Sequence, residues 1–486
     1  MRKPLKRFPI HTFLFIPFLV LFLLNYNYSQ VAIYMIVRTL ILGTGLTACL
    51  FLLFRLVLNE NQKTGIFTTL TLLAFFNYGI LYELLEKVYY SGAWPMHNIH
   101  RYLLGIYFLG FVIALFLFKK AKKDLSNHNF FMNTTVGILL LYNVLSLFFH
   151  ASQSKSHMLH DQQAPFKQLS TKDVPDIYYI VLDGYANSNV LKKYYDFDNA
   201  PFLNHLKAEN FFVADSAFSN YYYTQPSLTS TLNLSYLSPE LNSQYLLSNN
   251  FLFHTLQSYG YDIINIKSGY SVTAAFKDLN YSIPIAGANE FERALMKYTI
   301  LRLDDLAGIM AFVRLQSQFY HLKDFFTFNE KPKFCFIHIV SPHPPYVLTK
   351  KGEFRIHKSF GDNSWAPKAS YLDQLSYTTT QIDQFVQKIL EQKQKIRPVI
   401  IIQSDHGPWI NSPSRDDIFE ARSGILNAIL LPKDDMKKLY PSVSSVNTFR
   451  IVLSSVLKFR MDLLPDVKAG KESLMKNPVF EKKVNP

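Results

Sequence analysis

The segment RPVIIIQSDHGPW, Arg397 to Trp409, runs through a block of aliphatic, mostly β-branched residues and stops on an aspartate and a histidine followed by a glycine. Val399–Ile402 reads as a buried strand, and Asp405 and His406 at its end are side chains that ligate metals. Two other apolar runs end in the same way: DIYYIVLDG (176–184) on Asp183 and KFCFIHIVSPH (333–343) on His343. One aspartate after one strand is ordinarily a turn former or a helix cap, but three strands closing on such residues point to a shared site. A further candidate lies in YYYTQPSLTSTLNLSYL (221–237), where Thr224 precedes Pro226 and a helical run. That position suits an N-cap, and equally a hydroxyl facing the free N–H groups and positive dipole end where a phosphate or sulfate binds. Asp183, Thr224, Asp405 and His406 together make a mixed oxygen and nitrogen donor set that a divalent cation would fit, and the cation would ionise the hydroxyl into a nucleophile. Asn220 and Lys267 end neighbouring strand-like runs and are candidates for contact with an anionic group, while Tyr346 and Trp409 flank the motifs as candidate pocket walls. His338, in the middle of FCFIHIV, reads as a core histidine.

The elements that must position these residues are legible as alternation. Strand-like runs at 176–184, 211–218, 261–267, 333–343, 397–407 and 424–432 are separated by helical patterns, most clearly YLDQLSYTTTQIDQFVQKILEQ (371–392). Continuous apolar strands divided by helices predict an α/β domain with a mostly parallel central sheet covered on both faces. Sheets of that kind bind ligands beyond the carboxyl ends of their strands, where Asp183, His343, Asp405 and His406 fall. No glycine-x-serine-x-glycine elbow lies near a suitable histidine, and there is no Walker-type glycine loop.

The first third of the chain is different. Five apolar stretches, near 8–24, 36–57, 65–86, 102–118 and 130–150, approach the roughly 20 residues needed to cross a bilayer. Basic clusters fall on alternate loops: Arg2, Lys3, Lys6 and Arg7 before the first stretch, Arg55 and Lys63 after the second, and Lys119, Lys120, Lys122 and Lys123 after the fourth. This pattern places the N-terminus in the cytoplasm and everything after the fifth span outside, in a bacterial cytoplasmic (inner) membrane protein of several passes. Residues 1–155 hold 14 Lys/Arg against 4 Asp/Glu, so most of the net +14 belongs to membrane flanks, and no nucleic-acid groove is indicated. Cys49 and Cys335, the two cysteines, give no disulfide framework. The expected organisation is a membrane region over 1–151, a polar linker over 152–172 and a catalytic domain over 173–486.

VLDGY, TQPS, HIVSPHPPY and SDHG, in that order over Asp176 to Pro432, resemble the alkaline phosphatase superfamily on its sulfatase-like branch. With the membrane spans, the chain also resembles lipoteichoic acid synthases and phosphoethanolamine transferases. The resemblance implies Thr224 as nucleophile, His343 as a catalytic or substrate residue, and Asp183, Thr224, Asp405 and His406 as ligands. Main-type sulfatases carry a cysteine or serine that becomes formylglycine, with an arginine four residues on; here Thr224 and Leu228 stand there, and threonine cannot become that aldehyde. No histidine follows His406, so one divalent ion (zinc, manganese, magnesium or calcium) is expected and not two. The expected function is a metal-dependent phosphotransferase of phosphoglycerol or phosphoethanolamine type, moving a head group from a phospholipid donor to a glycan or lipid acceptor. The alternatives are a sulfatase-like hydrolase of sulfate or phosphate esters and a scaffold that has kept only the fold.

Overall fold

The computed structural model describes residues 8–28, 31, 33–89, 99–155, 174–238, 243–274, 276, 279–302, 304–323, 331–355, 365–392, 394–458 and 461–472. The chain divides into two units, one of residues 1–158 with 289–306 and one of residues 159–288 with 307–486. The expected linker lies mostly outside the described residues, since the last membrane-region helix continues to Lys155 and residues 156–173 are not described.

The first unit holds helices α1 (Ile10–Tyr26), α2 (Tyr34–Leu58), α3 (Asn61–Tyr89), α4 (Ile99–Lys120) and α5 (Ser126–Lys155). Four of these, α2 to α5, are long and apolar enough to cross a membrane, whereas α1 is apolar but only 17 residues long, against the five spans expected. Leu42, Leu56, Ile106 and Phe108 stand exposed on α2 and α4, which suits helices whose solvent is lipid. Polar side chains inside the bundle satisfy one another. The buried His11 of α1 pairs through Nδ1 with Thr69 Oγ1 (2.8 Å) and through Nε2 with Asn129 Oδ1 (3.2 Å), and its backbone N–H donates to Asn133 Oδ1 (2.8 Å). The sequence boundary near residue 173 did not anticipate that residues 289–306 group with these helices. There the helix Glu290–Lys297, opened by an Asn289/Glu292 capping box, pairs Glu292 with Arg38 of α2, while Lys297 (3.1 Å) and Arg302 (3.0 Å) pair with Glu83 of α3.

The second unit is built on a seven-stranded sheet in the order β2-β7-β6-β1-β5-β3-β4: β1 (Ile177–Leu182), β2 (Phe212–Val213), β3 (Asp262–Ile266), β4 (Tyr281–Ile283), β5 (Lys333–Ile339), β6 (Val399–Gln403) and β7 (Asn427–Leu430). Strands β6, β1, β5, β3 and β4 are parallel, and β7 runs antiparallel between β6 and β2. Six strands fall within the predicted runs; the short edge strand β4 was not foreseen because YSI carries no long apolar run. Period-two alternation sorts the central strands onto two cores. Tyr178, Ile180, Leu182, Ile337, Ile400 and Ile402 pack on one face with the long helix Lys368–Glu391. Ile177, Tyr179, Val181, Phe334, Phe336 and Ile401 pack on the other, with Phe449 and Val452.

Candidate active site

Strand register brings the site together. Val181 of β1 is paired with Gln403 of β6, so two residues further on Asp183 and Asp405 emerge side by side at the carboxyl end of the sheet. The His406 turn is then pinned: Ser404 Oγ donates to the His406 carbonyl (2.6 Å), and the Tyr185 N–H donates to Ser404 Oγ (3.0 Å). A Cβ on Gly407 would stand 1.9 Å from the Ala421 carbonyl oxygen, which is why glycine follows the histidine. On the other side, the His343 N–H donates to the Asp183 carbonyl (3.0 Å), holding the loop after β5 against the end of β1.

Thr224 is the first residue of helix α6 (Thr224–Asn233), whose N-cap is Tyr223. The cap reading therefore belongs one residue earlier, and Tyr223 makes no side-chain cap bond. The helix is fixed to the metal-type pair by Ser227, whose Oγ donates to the Asp405 carbonyl (2.7 Å). The Thr224 hydroxyl faces His406 Nε2 at 3.3 Å. His406 Nδ1 donates to the Gly407 carbonyl (3.0 Å), so Nε2 is the lone-pair nitrogen and accepts from Thr224.

The donor chemistry fits a cation. Asp183, Asp405 and His406 each offer a ligand atom within 4.8 Å of the others, all buried. Asp405 Oδ1 accepts from the N–H groups of Gly184 (3.3 Å) and His406 (2.9 Å), whereas Asp405 Oδ2 and Asp183 Oδ1 have no hydrogen-bond partner. Those two oxygens are the ones that face His406 Nε2, at 3.4 and 3.6 Å. Buried carboxylate oxygens without donors are costly unless an ion or proton meets them. Burial pushes the Asp183 carboxyl up, but the neighbouring His343, His338 and His406 hold it below the usual carboxylate range. Burial and the charge of Asp183 push Asp405 upward. Burial also keeps His406 well below the usual histidine range, in the neutral form that ligates metals.

Arg422 was not singled out in the sequence and lies in the middle of the site. Its Nε donates to the Tyr222 carbonyl (2.8 Å), one Nη to the Gly407 carbonyl (2.7 Å) and the other to His406 Nε2 (3.0 Å), so an ion on Nε2 would replace only that last bond. Burial pushes its guanidinium down to about 10, so it remains charged at neutral pH. Trp409, Trp365 and Tyr223 surround it with ring centroids 5.0, 5.5 and 5.9 Å away. Trp409, expected to line the pocket, thus packs on this cation. His343 donates from Nδ1 to the Pro344 carbonyl (2.7 Å), lies against Trp365 and has its ring centroid 6.3 Å from that of His406. Burial lowers its pKa despite the nearby Asp183.

The remaining expected contacts are placed differently. Asn220 is fully buried and braces the loop before α6: its Oδ1 accepts from Ser445 Oγ and the Val446 N–H (both 2.9 Å), and its Nδ2 donates to the Val467 carbonyl (2.8 Å). Tyr346 belongs to the core beside Tyr371, because the loop after β5 folds back onto the sheet's helical layer. Lys267 is half-buried just past the end of β3, and its backbone carbonyl accepts from the Gln318 amide (3.0 Å).

A family profile described as Sulfatase matches residues 175–430. No curated protein matches the chain. Among solved structures, the chain is similar to the C-terminal periplasmic domain of EcEptC from Escherichia coli in complex with Zn, at 12% identity and TM-score 0.43 over 60% of this chain and 85% of that one. It is similar also to the integral membrane protein lipooligosaccharide phosphoethanolamine transferase A (EptA) from Neisseria meningitidis, at 15% identity and TM-score 0.41 over 84% of each chain. The profile spans more than half of the chain, from just before β1 to the end of β7, and so takes in every strand of the sheet and all the residues that converge on His406: the chain belongs to the sulfatase family, a family of enzymes.

Proposed function

We propose that this chain is a membrane-anchored phosphotransferase of phosphoglycerol or phosphoethanolamine type, in which Thr224 carries the phosphoryl group. The observation that carries the reading is the Thr224 hydroxyl, held at the start of α6 and directed at His406 Nε2 beside two carboxylate oxygens without hydrogen-bond donors. Asp183, Asp405, His406 and Thr224 would hold one divalent cation, which when bound supplies the positive charge that lets the threonine hydroxyl ionise near neutral pH. Thr224 Oγ1 attacks the phosphorus of a phospholipid in line, the bond from phosphorus to the lipid oxygen breaks, and His343 gives that oxygen a proton. In the second half, an acceptor hydroxyl on a glycan or lipid passes its proton to His343 and takes the phosphoryl head group, restoring Thr224. Arg422 adds fixed positive charge where the phosphoryl oxygens gather negative charge.

The membrane region supports a lipid donor. Residues 289–306, which fall inside the sulfatase profile, pair with Met35, Arg38, Gly79 and Glu83, at the ends of α2 and α3 opposite Arg55 and Lys63. With basic ends in the cytoplasm, those residues and the catalytic unit face outward. The test is to incubate the purified protein with phospholipids labelled in the head group and follow the label. Transfer to an acceptor with release of diacylglycerol is expected; release of sulfate from sulfate esters, with phospholipids untouched, would replace the reading by the hydrolase alternative.

A further inference from the structure

His338 is the one polar side chain in a strand otherwise filled by Phe334, Cys335, Phe336, Ile337 and Ile339. Its register explains why it matters. His338 is paired with Val181 on the adjacent β1, on the same sheet face from which Asp183 emerges two residues later. The imidazole is fully buried, and its Nε2 stands 3.6 Å from Asp183 Oδ2 with no other hydrogen-bond partner. Its Nδ1 meets Thr273 Oγ1 at 3.3 Å, Thr273 Oγ1 meets Ser268 Oγ at 2.8 Å, and Ser268 Oγ accepts from the Tyr270 N–H at 3.0 Å. That last bond gives the chain a direction: Ser268 donates to Thr273, Thr273 donates to Nδ1, and the imidazole hydrogen is left on Nε2, pointing at the carboxylate. The opposite tautomer would set a lone pair against Asp183 Oδ2.

We infer that His338 is a positioning residue for Asp183, fixing the carboxylate so that Oδ1 is turned toward His406, with Thr273 and Ser268 of the segment after β3 setting the orientation of the imidazole. The inference rests on the reading of Asp183, Asp405 and His406 as ligands. A core histidine held only for packing would satisfy its nitrogens elsewhere, and an apolar residue would fill this strand position more cheaply. Partners of this kind, one step behind a ligand, tune metal affinity without touching the ion.

The test uses the full-length protein in detergent, with Mn²⁺ and Zn²⁺ binding measured by equilibrium dialysis and elemental analysis. His338→Leu is expected to weaken binding by about 10–100-fold, while the thermal midpoint of the chelator-treated protein holds. His338→Gln, which keeps an N–H donor, should recover most of the affinity. Thr273→Val, which removes the donor to Nδ1, should fall between the unaltered protein and His338→Leu. Affinity in His338→Leu within twofold of the unaltered protein overturns the inference, as does equal loss in the Leu and Gln variants. If His338→Leu does not fold, Thr273→Val decides: unweakened binding in that variant overturns the inference, and weakened binding with an unchanged midpoint supports it. Failure of the unaltered protein to bind either ion would remove the metal reading itself, and the inference with it.

Discussion

Thr224 separates two accounts of the same residue. As a helix cap its removal would cost about 0.5–2 kcal/mol and leave chemistry intact, but the cap is Tyr223 and the threonine hydroxyl is bonded to His406. Thr224→Ala is therefore expected to leave the thermal midpoint nearly unchanged and to abolish turnover, while Thr224→Ser retains part of it. Near-native turnover in the alanine variant would sink the covalent mechanism. Arg422 makes the opposite prediction, for stability. Its fork satisfies two buried carbonyls, of Tyr222 and Gly407, as well as His406 Nε2. Arg422→Met leaves these acceptors buried without donors, at about 1–3 kcal/mol each, so its thermal midpoint should drop clearly. An unchanged midpoint would show that water or another side chain replaces the fork.

At the scale of elements, the site depends on turns that follow parallel strands. Gly407 is the tightest of these, with a backbone oxygen where a Cβ would be. Gly407→Ala is expected to destabilise the protein by about 1–3 kcal/mol or more, as overpacking does, and to impair metal binding because the carbonyl that orients His406 must move; urea titration with a metal-binding assay checks both. This is also where sequence reading divides into what could and could not be seen. Asp183, Asp405 and His406 were legible because long apolar runs stop on them, and parallel register then forces them together. Arg422 was not, because it sits inside a charged helix, DDIFEARS, and only the fold shows that its side chain turns inward under Trp409. His338 looked like core for the same reason that it is buried: its partner Asp183 is 155 positions earlier and meets it only through the β1–β5 pairing. Asn220 was legible as a buried polar residue near the nucleophile, but its partners Ser445, Val446 and Val467 are more than 220 positions away, and no local pattern announces them.

For the whole molecule, the account joins a membrane region to an outward catalytic unit. Reporter fusions at residues 60 and 122 should be cytoplasmic and one at residue 300 external; a cytoplasmic reporter at 300 would overturn the topology. Glu83 is half-exposed, so its pairs with Lys297 and Arg302 are worth little in stability, but they fix the segment 289–306 on α3. Glu83→Lys should accelerate hydrogen exchange across residues 290–302 without unfolding α3, and unchanged exchange would show that the backbone bond from Gly79 to Tyr298 holds the segment alone. The central claim is that Thr224 carries the phosphoryl group between a lipid and an acceptor. The most direct measurement supplies the full-length protein with phospholipid labelled at phosphorus, withholds acceptor, quenches in acid and locates the label by peptide mass spectrometry. The account predicts a phosphorylated peptide containing Thr224, absent after chelation and absent from Thr224→Ala. Turnover of the same lipid with no label on Thr224, persisting in Thr224→Ala, would contradict it.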